Sequence, residues 1–424
     1  MQLTIQNVAK ISHAAIDFNG ITVIAGENNT GKSTVGKVLY CIFTSFYESE
    51  NKINQEKKNL IGSDISKALY PKNIGYGYPS SLFDDFLKID IKNKNHENLL
   101  NLLLKVSSLN NSSLEEILSK EEMNILCNNI FETLSVQNDY ILKEIITKVF
   151  RSEFNSQTNH VNFKNKAQIN LKIKKDSLEL VLSDNKCINF KNTISFFNDS
   201  IYIDNPFSID EFEFQGSISG KPVSMYNHKS QLHLKFSLDS DSIEDIIVKG
   251  RNESKLAPII EKMNLAISGD FSKINNNRIV FKENNLSEPL YLPNLSTGMK
   301  TFAIIKRLIE NGSIRDKGIL ILDEPEIHLH PEWQLIFAEI LVLLQKTFNL
   351  NILINTHSPY FLNAIEVFSL KYNVDDKCKY YLAELEENGI SATIRDVSDD
   401  TELIYEKLAA PLQKLEDIEW GADS

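Results

Sequence analysis

The chain has 424 residues, of which 42% are hydrophobic and 24% charged, a globular composition that excludes wholesale disorder. At roughly 150 residues per domain, this length allows two or three domains, or one large domain that carries an insertion. The net charge of −12 argues against a protein that coats nucleic acid over its whole surface, because such a surface is basic. A local basic groove stays possible.

Cysteine usage and the N-terminus give no sign of a secreted or membrane protein. The four cysteines, Cys41, Cys127, Cys187 and Cys378, are far apart and form no C-x-x-C pair, which argues against a zinc ribbon or a disulfide framework. The first ten residues lack the basic segment and apolar core of a signal peptide. The longest apolar runs are too short to span a bilayer. We therefore expect a cytoplasmic protein that does not enter a membrane.

The first 45 residues are predicted to form strands followed by a helix. Short alternating runs come first, and residues 21–24 are an uninterrupted β-branched run, typical of a strand buried on both faces. The sequence GENNTGKST follows at 26–34, and residues 35–43 have a helical pattern. This order predicts a strand, a glycine-containing loop and a helix.

Residues 48–155 are predicted to be a helical insertion. Ser113 and Glu116 predict a capping box at the start of a helix that carries Leu118. Apolar residues at 141, 145 and 149 recur at helical spacing. No heptad pattern persists for three or four repeats, which argues against a long coiled coil.

Residues 156–184 are predicted to be a β-hairpin that joins the insertion to the remainder of the chain. Apolar residues at 169, 171 and 173 alternate with polar ones, a turn follows, and residues 178, 180 and 182 are apolar again. Five lysines concentrate in this region: Lys164, Lys166, Lys172, Lys174 and Lys175. Two interpretations stay open, a solvated face that protects a sheet edge and a local basic patch that binds DNA.

From residue 317 onward, predicted strands and helices alternate. The predicted strands cover 318–322 and 351–355, and the predicted helices cover 331–345 and 359–367. A terminal hairpin (380–384 with 391–394) and a helix (401–415) are predicted to follow.

The loop GENNTGKST fits the phosphate-binding pattern G-x-x-x-x-G-K-[ST] in the expected strand–loop–helix context. Its glycines allow backbone N–H groups to surround an anion, and the helix N-terminus adds partial positive charge. We expect Lys32 to reach the β- and γ-phosphates and Ser33 to ligate Mg²⁺. The residues predicted to bind the nucleotide here are Gly26, Asn28, Asn29, Thr30, Gly31, Lys32, Ser33 and Thr34.

The sequence ILILDE at 319–324 places two carboxylates at the end of a predicted buried strand. Ligands bind at the carboxyl ends of strands in open α/β folds. Asp323 is therefore predicted to hold Mg²⁺, directly or through water, and Glu324 to polarise the attacking water as a general base. An isolated acidic pair can be a strand end met by chance, but its place after a phosphate-binding loop favours the catalytic interpretation.

Ser296 and Gly298 lie in NLSTGMK, about twenty-five residues before Asp323. A hydroxyl, exposed amides and a helix dipole at a predicted helix start form a second phosphate-binding arrangement. Alone, the pattern fits an ordinary N-cap. Its position between the phosphate-binding loop and the acidic strand favours the phosphate role.

His357 follows the predicted strand 351–355, in NTHSP. We predict that its imidazole lies beside the γ-phosphate and responds to hydrolysis, although such a residue can also be an ordinary loop histidine. His328 and His330 form an H-x-H pair. Because no further ligand cluster is near them in the sequence, a metal site there is disfavoured.

These motifs, in this order, resemble the ATP-binding-cassette (ABC) ATPases of the SMC/RecF type. They are most similar to the subgroup that includes the OLD-family nucleases and the PtuA-like ATPases of bacterial antiphage systems. GENNTGKST resembles the Walker A motif, LSTGMK the ABC signature, ILILDEPEIHLHP the Walker B motif with the D-loop, and NTHSPYFL the switch-histidine region. The likeness covers residues 1–45 and roughly 290–370, and the signature departs from the transporter sequence LSGGQ, with Lys300 following the five residues that align with it.

The resemblance implies an α/β fold: a P-loop NTPase, here an ABC-ATPase head, with a mixed sheet and a helical insertion. We expect the head to comprise 1–47 and 185–424, with the insertion at 48–155 and the hairpin at 156–184 between them. The resemblance also implies ATP and Mg²⁺ as cofactors and a head-to-tail homodimer, or a higher oligomer built from it. Two ATP molecules would lie between the P-loop of one protomer and Ser296–Gly298 of the other, with Glu324-dependent hydrolysis reopening the dimer.

The resemblance further implies a nucleotide-controlled switch or sensor of antiphage defence. OLD-type nucleases carry a metal-dependent Toprim domain after the switch histidine, and the 67 residues after His357 are too few for one. We therefore expect a separately encoded effector, for example an HNH-type nuclease. Two alternatives stay open: a RecF-like DNA-repair ATPase that clamps DNA and, less favoured by the signature, the ATPase subunit of an ABC importer.

Overall fold

The structure, a computed structural model, describes residues 1–69, 80–88, 99, 103, 118–160, 165–213, 226–238, 243–274 and 278–419. The chain divides into two compact units, one formed by residues 1–47 with 146–424 and the other by residues 48–145. The predicted insertion, 48–155, ends later than the second unit does. The difference arises because helix Asn138–Glu153 spans the boundary and its last two turns belong to the first unit.

The first unit is built on a mixed sheet that has eleven strands within the described residues. These strands are β1 (Gln2–Val8), β2 (Ile11–Asp17), β3 (Ile21–Gly26), β4 (Ala167–Ile173), β5 (Asp176–Ser183), β6 (Lys186–Asn192), β7 (Ser200–Ile203), β11 (Ile319–Asp323), β12 (Asn351–Thr356), β13 (Cys378–Leu385) and β14 (Ala392–Asp396). Their order across the sheet is β6-β5-β4-β1-β2-β14-β13-β3-β12-β11-β7. A small antiparallel sheet contains β8 (Gly269–Ile274), β9 (Arg278–Glu283) and β10 (Leu290–Tyr291).

The centre and the outer part of the large sheet differ in strand direction and burial. The run β13-β3-β12-β11-β7 is parallel, and β3, β11 and β12 are buried almost throughout. Continuous burial is expected for parallel strands covered on both faces. In contrast, β4 and β5 are antiparallel and alternate between buried and more exposed residues. The strands predicted at 21–24, 318–322 and 351–355 are confirmed as three neighbours at the centre.

Helices complete the first unit. They are α1 (Lys32–Phe46), α5 (Asn138–Glu153, from its last two turns), α6 (His228–Ser237), α7 (Ile243–Ala266), α8 (Thr297–Glu310), α9 (Pro331–Phe348), α10 (Pro359–Tyr372) and α11 (Glu402–Glu419). Helix α1 packs against β7 and β11. Apolar residues of α7, α8, α9 and α10 form one continuous core with β3, β11 and β12. The predicted helices 331–345 and 359–367 are therefore present, each a few residues longer than predicted.

The second unit is helical in its described part, as predicted. Its helices are α2 (Ser49–Leu69), α3 (Ser80–Leu87), α4 (Lys120–Ser135) and the first two turns of α5. Side chains of α2 and α4, among them Ile61, Ile65 and Ile130, share a small apolar core. The capping box predicted at Ser113 and Glu116 lies outside the described residues.

A capping box does occur a few residues later in the second unit. The Ser119 side chain accepts from the N–H of Glu122 at 3.2 Å, and the Glu122 carboxylate accepts from the N–H of Ser119 at 2.7 Å. This reciprocal pairing satisfies two of the free N–H groups at the start of α4. Among the helices that the structure describes in either unit, none is long and apolar enough to cross a membrane.

The predicted hairpin is not a separate connector but part of the large sheet. Strand β4 pairs with β1 from Gln2 to Gln6, and β6 covers the other side of β5. Lys172 on β4 is therefore exposed on the face of an interior strand and does not protect a sheet edge. Lys174 and Lys175 are exposed in the turn between β4 and β5, whereas Lys164 lies outside the described residues.

Candidate active site

The P-loop connects β3 to α1 in a tight turn. The backbone φ angle is 148° at Gly26 and 84° at Gly31, values that side-chain-bearing residues rarely adopt. A Cβ atom at Gly26 would lie 2.3 Å from the carbonyl oxygen of Ala383 on β13, so no larger residue fits there. The turn delivers the chain directly to the N-terminus of α1, where unpaired N–H groups and the helix dipole favour an anion.

Lys32, the first residue of α1, is almost fully buried beneath this turn. Its Nζ donates to the carbonyl oxygens of Gly26 at 3.0 Å and Glu27 at 2.8 Å. Burial lowers the pKa of Lys32, and the nearby carboxylates, with Glu324 the strongest, offset only part of that effect. A buried ammonium whose direct acceptors are neutral carbonyls is a favourable contact for phosphate oxygens.

The parallel strands bring the distant acidic and histidine motifs to the same edge of the sheet. Asp323 on β11 is the register partner of Asn355 on β12, and Thr356 is the partner of Ala25 at the end of β3. The carboxyl ends of the three strands therefore meet beside the P-loop. This register explains how residues separated by 300 positions form one site.

Glu324 and His357 form a cluster with Lys32. The Nε2 atom of His357 contacts Oε1 of Glu324 and lies 3.1 Å from Nζ of Lys32. Glu324 has a positive φ of 49°, and its N–H donates to the carbonyl of Asn355 at 2.9 Å. Non-glycine residues in this conformation are frequent at functional sites. The side chains of Glu324 and His357 are 28% and 27% exposed, so both stay accessible to a ligand.

Asp323 is held at both carboxylate oxygens by residues that the sequence analysis did not name. The Tyr202 hydroxyl donates to Oδ2 at 3.2 Å, and the Asn355 side-chain amide donates to Oδ1 at 3.0 Å. Asn355 precedes His357 by two residues in the switch-histidine segment. Its place at the end of the predicted strand 351–355 could have indicated that it lies in the site. Tyr202 on β7 lies in no recognisable motif, and only the pairing of β7 with β11 reveals it.

Glu326 is a second residue that the sequence analysis missed. It is 4% exposed, and its Oε1 accepts from the hydroxyl of Thr356 and, at 3.3 Å, from the N–H of His357. Burial raises the pKa of Glu326, although the hydrogen bonds from Thr356 and the backbone act in the opposite direction. Glu326 therefore fixes the backbone that carries His357. Glu326 belongs to the Walker B segment, in the sequence DEPE, and this proximity to Asp323 and Glu324 could have indicated a role in the site.

A cavity of about 350 Å³ lies against the P-loop. Its lining contains Ala9, Lys10, Glu324 and the P-loop residues Asn28, Asn29, Thr30, Gly31, Lys32, Ser33 and Thr34. These are the predicted nucleotide-binding residues of this loop apart from Gly26, which shapes its turn. The N–H groups of the helix start and the Lys32 ammonium suit a polyphosphate. The Ser33 hydroxyl and the Asp323 carboxylate are oxygen donors of the kind that Mg²⁺ prefers.

The predicted signature residues lie apart from this cavity. Ser296 is the N-cap of α8 and accepts from the N–H of Met299 at 3.4 Å. A Cβ atom at Gly298 would lie 2.9 Å from the ring of Trp333, so this position needs glycine for packing. Neither residue lines the P-loop cavity. The structure thus brings together the P-loop, Asp323, Glu324 and His357, and it places the signature elsewhere on the surface of the same unit.

Lys300, the last residue of the LSTGMK segment, is buried in an ion pair. Its Nζ donates to Asp210 at 2.7 Å and lies 5.0 Å from the centre of the Phe207 ring. Lys300 therefore anchors the segment after β7 to α8.

His328 packs its ring against Phe207, and no cluster of three or more metal-binding side chains occurs among the described residues.

Together, the mixed sheet, the P-loop and the carboxylates at its edge define an ATPase of the P-loop class. The AAA ATPase domain family, AAA_15, matches residues 1–362, most of the chain. The protein therefore belongs to this family and is an ATPase, as the sequence motifs predicted.

Two proteins named as probable retron ATPases are similar to parts of the chain. The Retron Ec83 probable ATPase of Escherichia coli is 26% identical over 209 residues, which is 42% of this chain and 37% of that protein. The Retron Vc95 probable ATPase of Vibrio cholerae serotype O1 biovar El Tor is 31% identical over 136 residues, 30% of this chain and 25% of that protein. The match thus spans well under half the length of each relative.

Solved SMC head domains are also similar at low identity. The SmcHead bound to the C-winged helix domain of ScpA is 11% identical, with a TM-score of 0.45, and the alignment covers 95% of this chain and 98% of that one. The SMC head domain from Thermotoga maritima is 12% identical, with a TM-score of 0.39, over 93% of this chain and 98% of that one.

Proposed function

We propose that the protein is a Mg²⁺-dependent ATPase whose complete catalytic sites form between two copies of the chain arranged head to tail. The observation that carries the proposal is the separation of two phosphate-binding elements. Lys32 and Glu324 line one cavity and His357 contacts both of them, whereas Ser296 at the N-terminus of α8 does not line this cavity and accepts instead from the N–H of Met299 in its own helix. A second copy presenting Ser296 to that cavity completes the site.

Each residue in and beside the cavity then has a distinct task. Lys32 binds the β- and γ-phosphates, and Ser33 with Asp323 holds Mg²⁺. When bound, Mg²⁺ neutralises charge that develops on the transferred phosphoryl group. Glu324 orients the attacking water and accepts its proton, while His357, in contact with both Glu324 and Lys32, couples the carboxylate to the phosphate contact.

We also propose that nucleotide state controls a separately encoded effector, such as an HNH-type nuclease, in an antiphage system. Similarity to two retron ATPases supports a defence role. The unit formed by residues 48–145 carries none of the ATPase motifs, and we assign effector binding to it. Affinity purification from the native host, with and without deletion of this unit, tests the assignment.

A DNA-clamping ATPase is the second candidate function. Lys172, Lys174 and Lys175 are exposed together on and beside β4, which supports a local contact with DNA phosphates. Fluorescence anisotropy with duplex DNA separates the two candidates. ATP-dependent binding that weakens with salt and is lost when the three lysines are replaced by Gln supports the clamp.

The shared site can be tested by mixing two inactive variants. Lys32→Ala removes the phosphate contact, whereas Ser296→Asp keeps an N-cap acceptor but puts a negative charge where a phosphate is expected. Each variant alone should be inactive. Mixed, they form one site with an intact P-loop from the Ser296→Asp chain and an intact Ser296 from the Lys32→Ala chain.

Recovery of up to about one quarter of wild-type ATPase activity on mixing is expected, since half of the dimers are mixed and each holds one good site. Ser296→Asn, which keeps the cap without the charge, is the matched control and should stay active alone. Two inactive variants that stay inactive when mixed, although both are folded, would contradict the shared site.

A further inference from the structure

We infer that Tyr202 and His228 are positioning residues of the ATPase: the Tyr202 hydroxyl orients the Asp323 carboxylate, and His228, held between Glu153 and Asp204, fixes the Tyr202 ring. The inference rests on the proposed function only in taking Asp323 as a Mg²⁺ ligand. It concerns side chains on β7, α5 and α6, none of which belongs to the P-loop, Walker B or signature motifs.

The first step is the orientation of Asp323. Tyr202 and Asn355 lie on the two strands that flank β11, and each donates to a different oxygen of the carboxylate. A carboxylate held from both sides has little freedom to rotate. Partners that hold a metal ligand from behind commonly set its orientation and its affinity for the metal.

The second step is the position of the Tyr202 ring. The ring is 2% exposed, and its centre lies 4.4 Å from the centre of the His228 ring and 6.2 Å from that of Tyr40 on α1. The interplanar angle of 32° with His228 brings the two faces together. Displacement of His228 therefore removes the support on one face of Tyr202.

The third step is the fixation of His228 by two carboxylates. The Nδ1 atom of His228 is 2.8 Å from Oε1 of Glu153, and the backbone N–H of His228 donates to Oε2 of Glu153 at 3.2 Å. Its Nε2 lies 3.0 Å from Asp204, in an ion-pair contact, and Lys229 lies 3.9 Å from the same Asp204 oxygen. Glu153 is the last residue of α5 and Asp204 directly follows β7, so His228 ties three elements together behind Asp323.

Electrostatics supports a charged imidazole in this position. Burial by itself lowers the pKa of His228, but the contacts with Asp204 and Glu153 outweigh it and raise the pKa to about 9. Burial by itself would raise the pKa of Asp204, but the contact with His228 and the nearby Lys229 lower it.

The test compares Tyr202→Phe with Tyr381→Phe. Both tyrosines are buried in the large sheet, but the Tyr381 hydroxyl accepts from the backbone N–H of Asp17, and its strand, β13, is three strands away from β11, which carries Asp323. Binding of Mn²⁺, used as a probe for Mg²⁺, is measured by electron paramagnetic resonance with a non-hydrolysable ATP analogue present. We expect Tyr202→Phe to weaken Mn²⁺ binding about tenfold and Tyr381→Phe to leave it unchanged. Affinity for the analogue without metal should be the same in both.

A double-mutant cycle tests the role of His228. If His228 acts through Tyr202, His228→Gln weakens Mn²⁺ binding in the wild type and adds little in the Tyr202→Phe background. Fully additive effects overturn that part of the inference. Equal Mn²⁺ affinity in Tyr202→Phe and Tyr381→Phe overturns the inference alone, whereas a wild-type protein whose analogue complex binds no Mn²⁺ overturns both the inference and the proposed Mg²⁺ site.

Discussion

Two buried cations of the first unit, Lys32 and His228, differ in how their charge is balanced. Lys32 donates to two backbone carbonyl oxygens, and burial lowers its pKa. His228 contacts two carboxylates, and its pKa is raised to about 9, against the effect of burial. The charge of Lys32 is therefore only partly compensated within the protein, whereas the charge of His228 is compensated fully.

The difference separates a binding site from a supporting cluster. An ammonium that is desolvated without a direct carboxylate partner gains free energy when an anionic ligand arrives. An imidazolium already paired on both sides gains nothing from a ligand and instead stabilises the fold. The contrast predicts that changes around Lys32 affect nucleotide chemistry, whereas changes around His228 affect stability and the geometry of Asp323.

The largest expected effect is on the hydrolysis step itself. Glu324→Gln removes the proposed general base but keeps a side chain of the same size, so ATP should still bind while hydrolysis falls about 1000-fold. Single-turnover hydrolysis and size-exclusion chromatography with ATP measure the two quantities, and we expect ATP to trap a dimer. Glu332→Gln, an exposed position in the first turn of α9, is the control. Normal turnover by Glu324→Gln would contradict the assignment of the base.

Lys32→Ala tests whether Lys32 serves nucleotide binding and not the stability of the fold. We expect ATP affinity to fall at least about 100-fold, because a charge-assisted contact with the phosphates is lost. Without nucleotide, the melting temperature should not fall, since the variant removes a buried charge that the fold compensates only partly. Lys37→Ala, farther along α1, controls for the loss of a lysine from this helix. A Lys32→Ala variant that is strongly destabilised yet binds ATP normally would reverse the proposed roles.

Glu326→Ala tests whether the backbone of His357 needs its buried acceptor. The substitution leaves the Thr356 hydroxyl and the His357 N–H without the carboxylate. We expect a loss of about 2 kcal/mol in the free energy of unfolding, measured by urea denaturation, and slower hydrolysis with little change in ATP affinity. Glu326→Gln keeps an acceptor oxygen, so it should lose less unfolding free energy and slow hydrolysis less than Glu326→Ala does. Equal effects of the two substitutions would argue against a hydrogen-bonding role.

The motifs could be predicted because their chemistry is local. A strand, a tight turn with glycines at Gly26 and Gly31, and a helix are encoded within about twenty residues, and the end of β11 carries Asp323 and Glu324 in sequence. The central strands could also be predicted, since parallel strands buried on both faces have continuous apolar runs. The same patterns pointed to the family to which the chain belongs.

The supporting residues could not be predicted, because they depend on strand order. Tyr202 reaches Asp323 only since β7 pairs with β11, and His228 meets Glu153 across 75 positions of sequence. The place of the hairpin in the sheet could not be predicted for a related reason. Its alternation predicted two strands, but no local feature indicated that β4 would pair with β1 and make the hairpin part of the sheet.

The smallest expected effect concerns pH and the stability that His228 contributes. Because the pKa of His228 rises from 6.5 to about 9 on folding, its contribution is fully present below about pH 6.5 and is lost as the pH rises through 9. The groups that face it are Glu153, Asp204 with Lys229, Tyr202 and Tyr40. We expect wild type to exceed His228→Gln in unfolding free energy by roughly 1–2 kcal/mol more at pH 7 than at pH 10. Urea denaturation at both values measures this change, since titration of other groups is common to both proteins. A constant difference would mean that the imidazole is uncharged, and the contrast with Lys32 would then rest on packing alone.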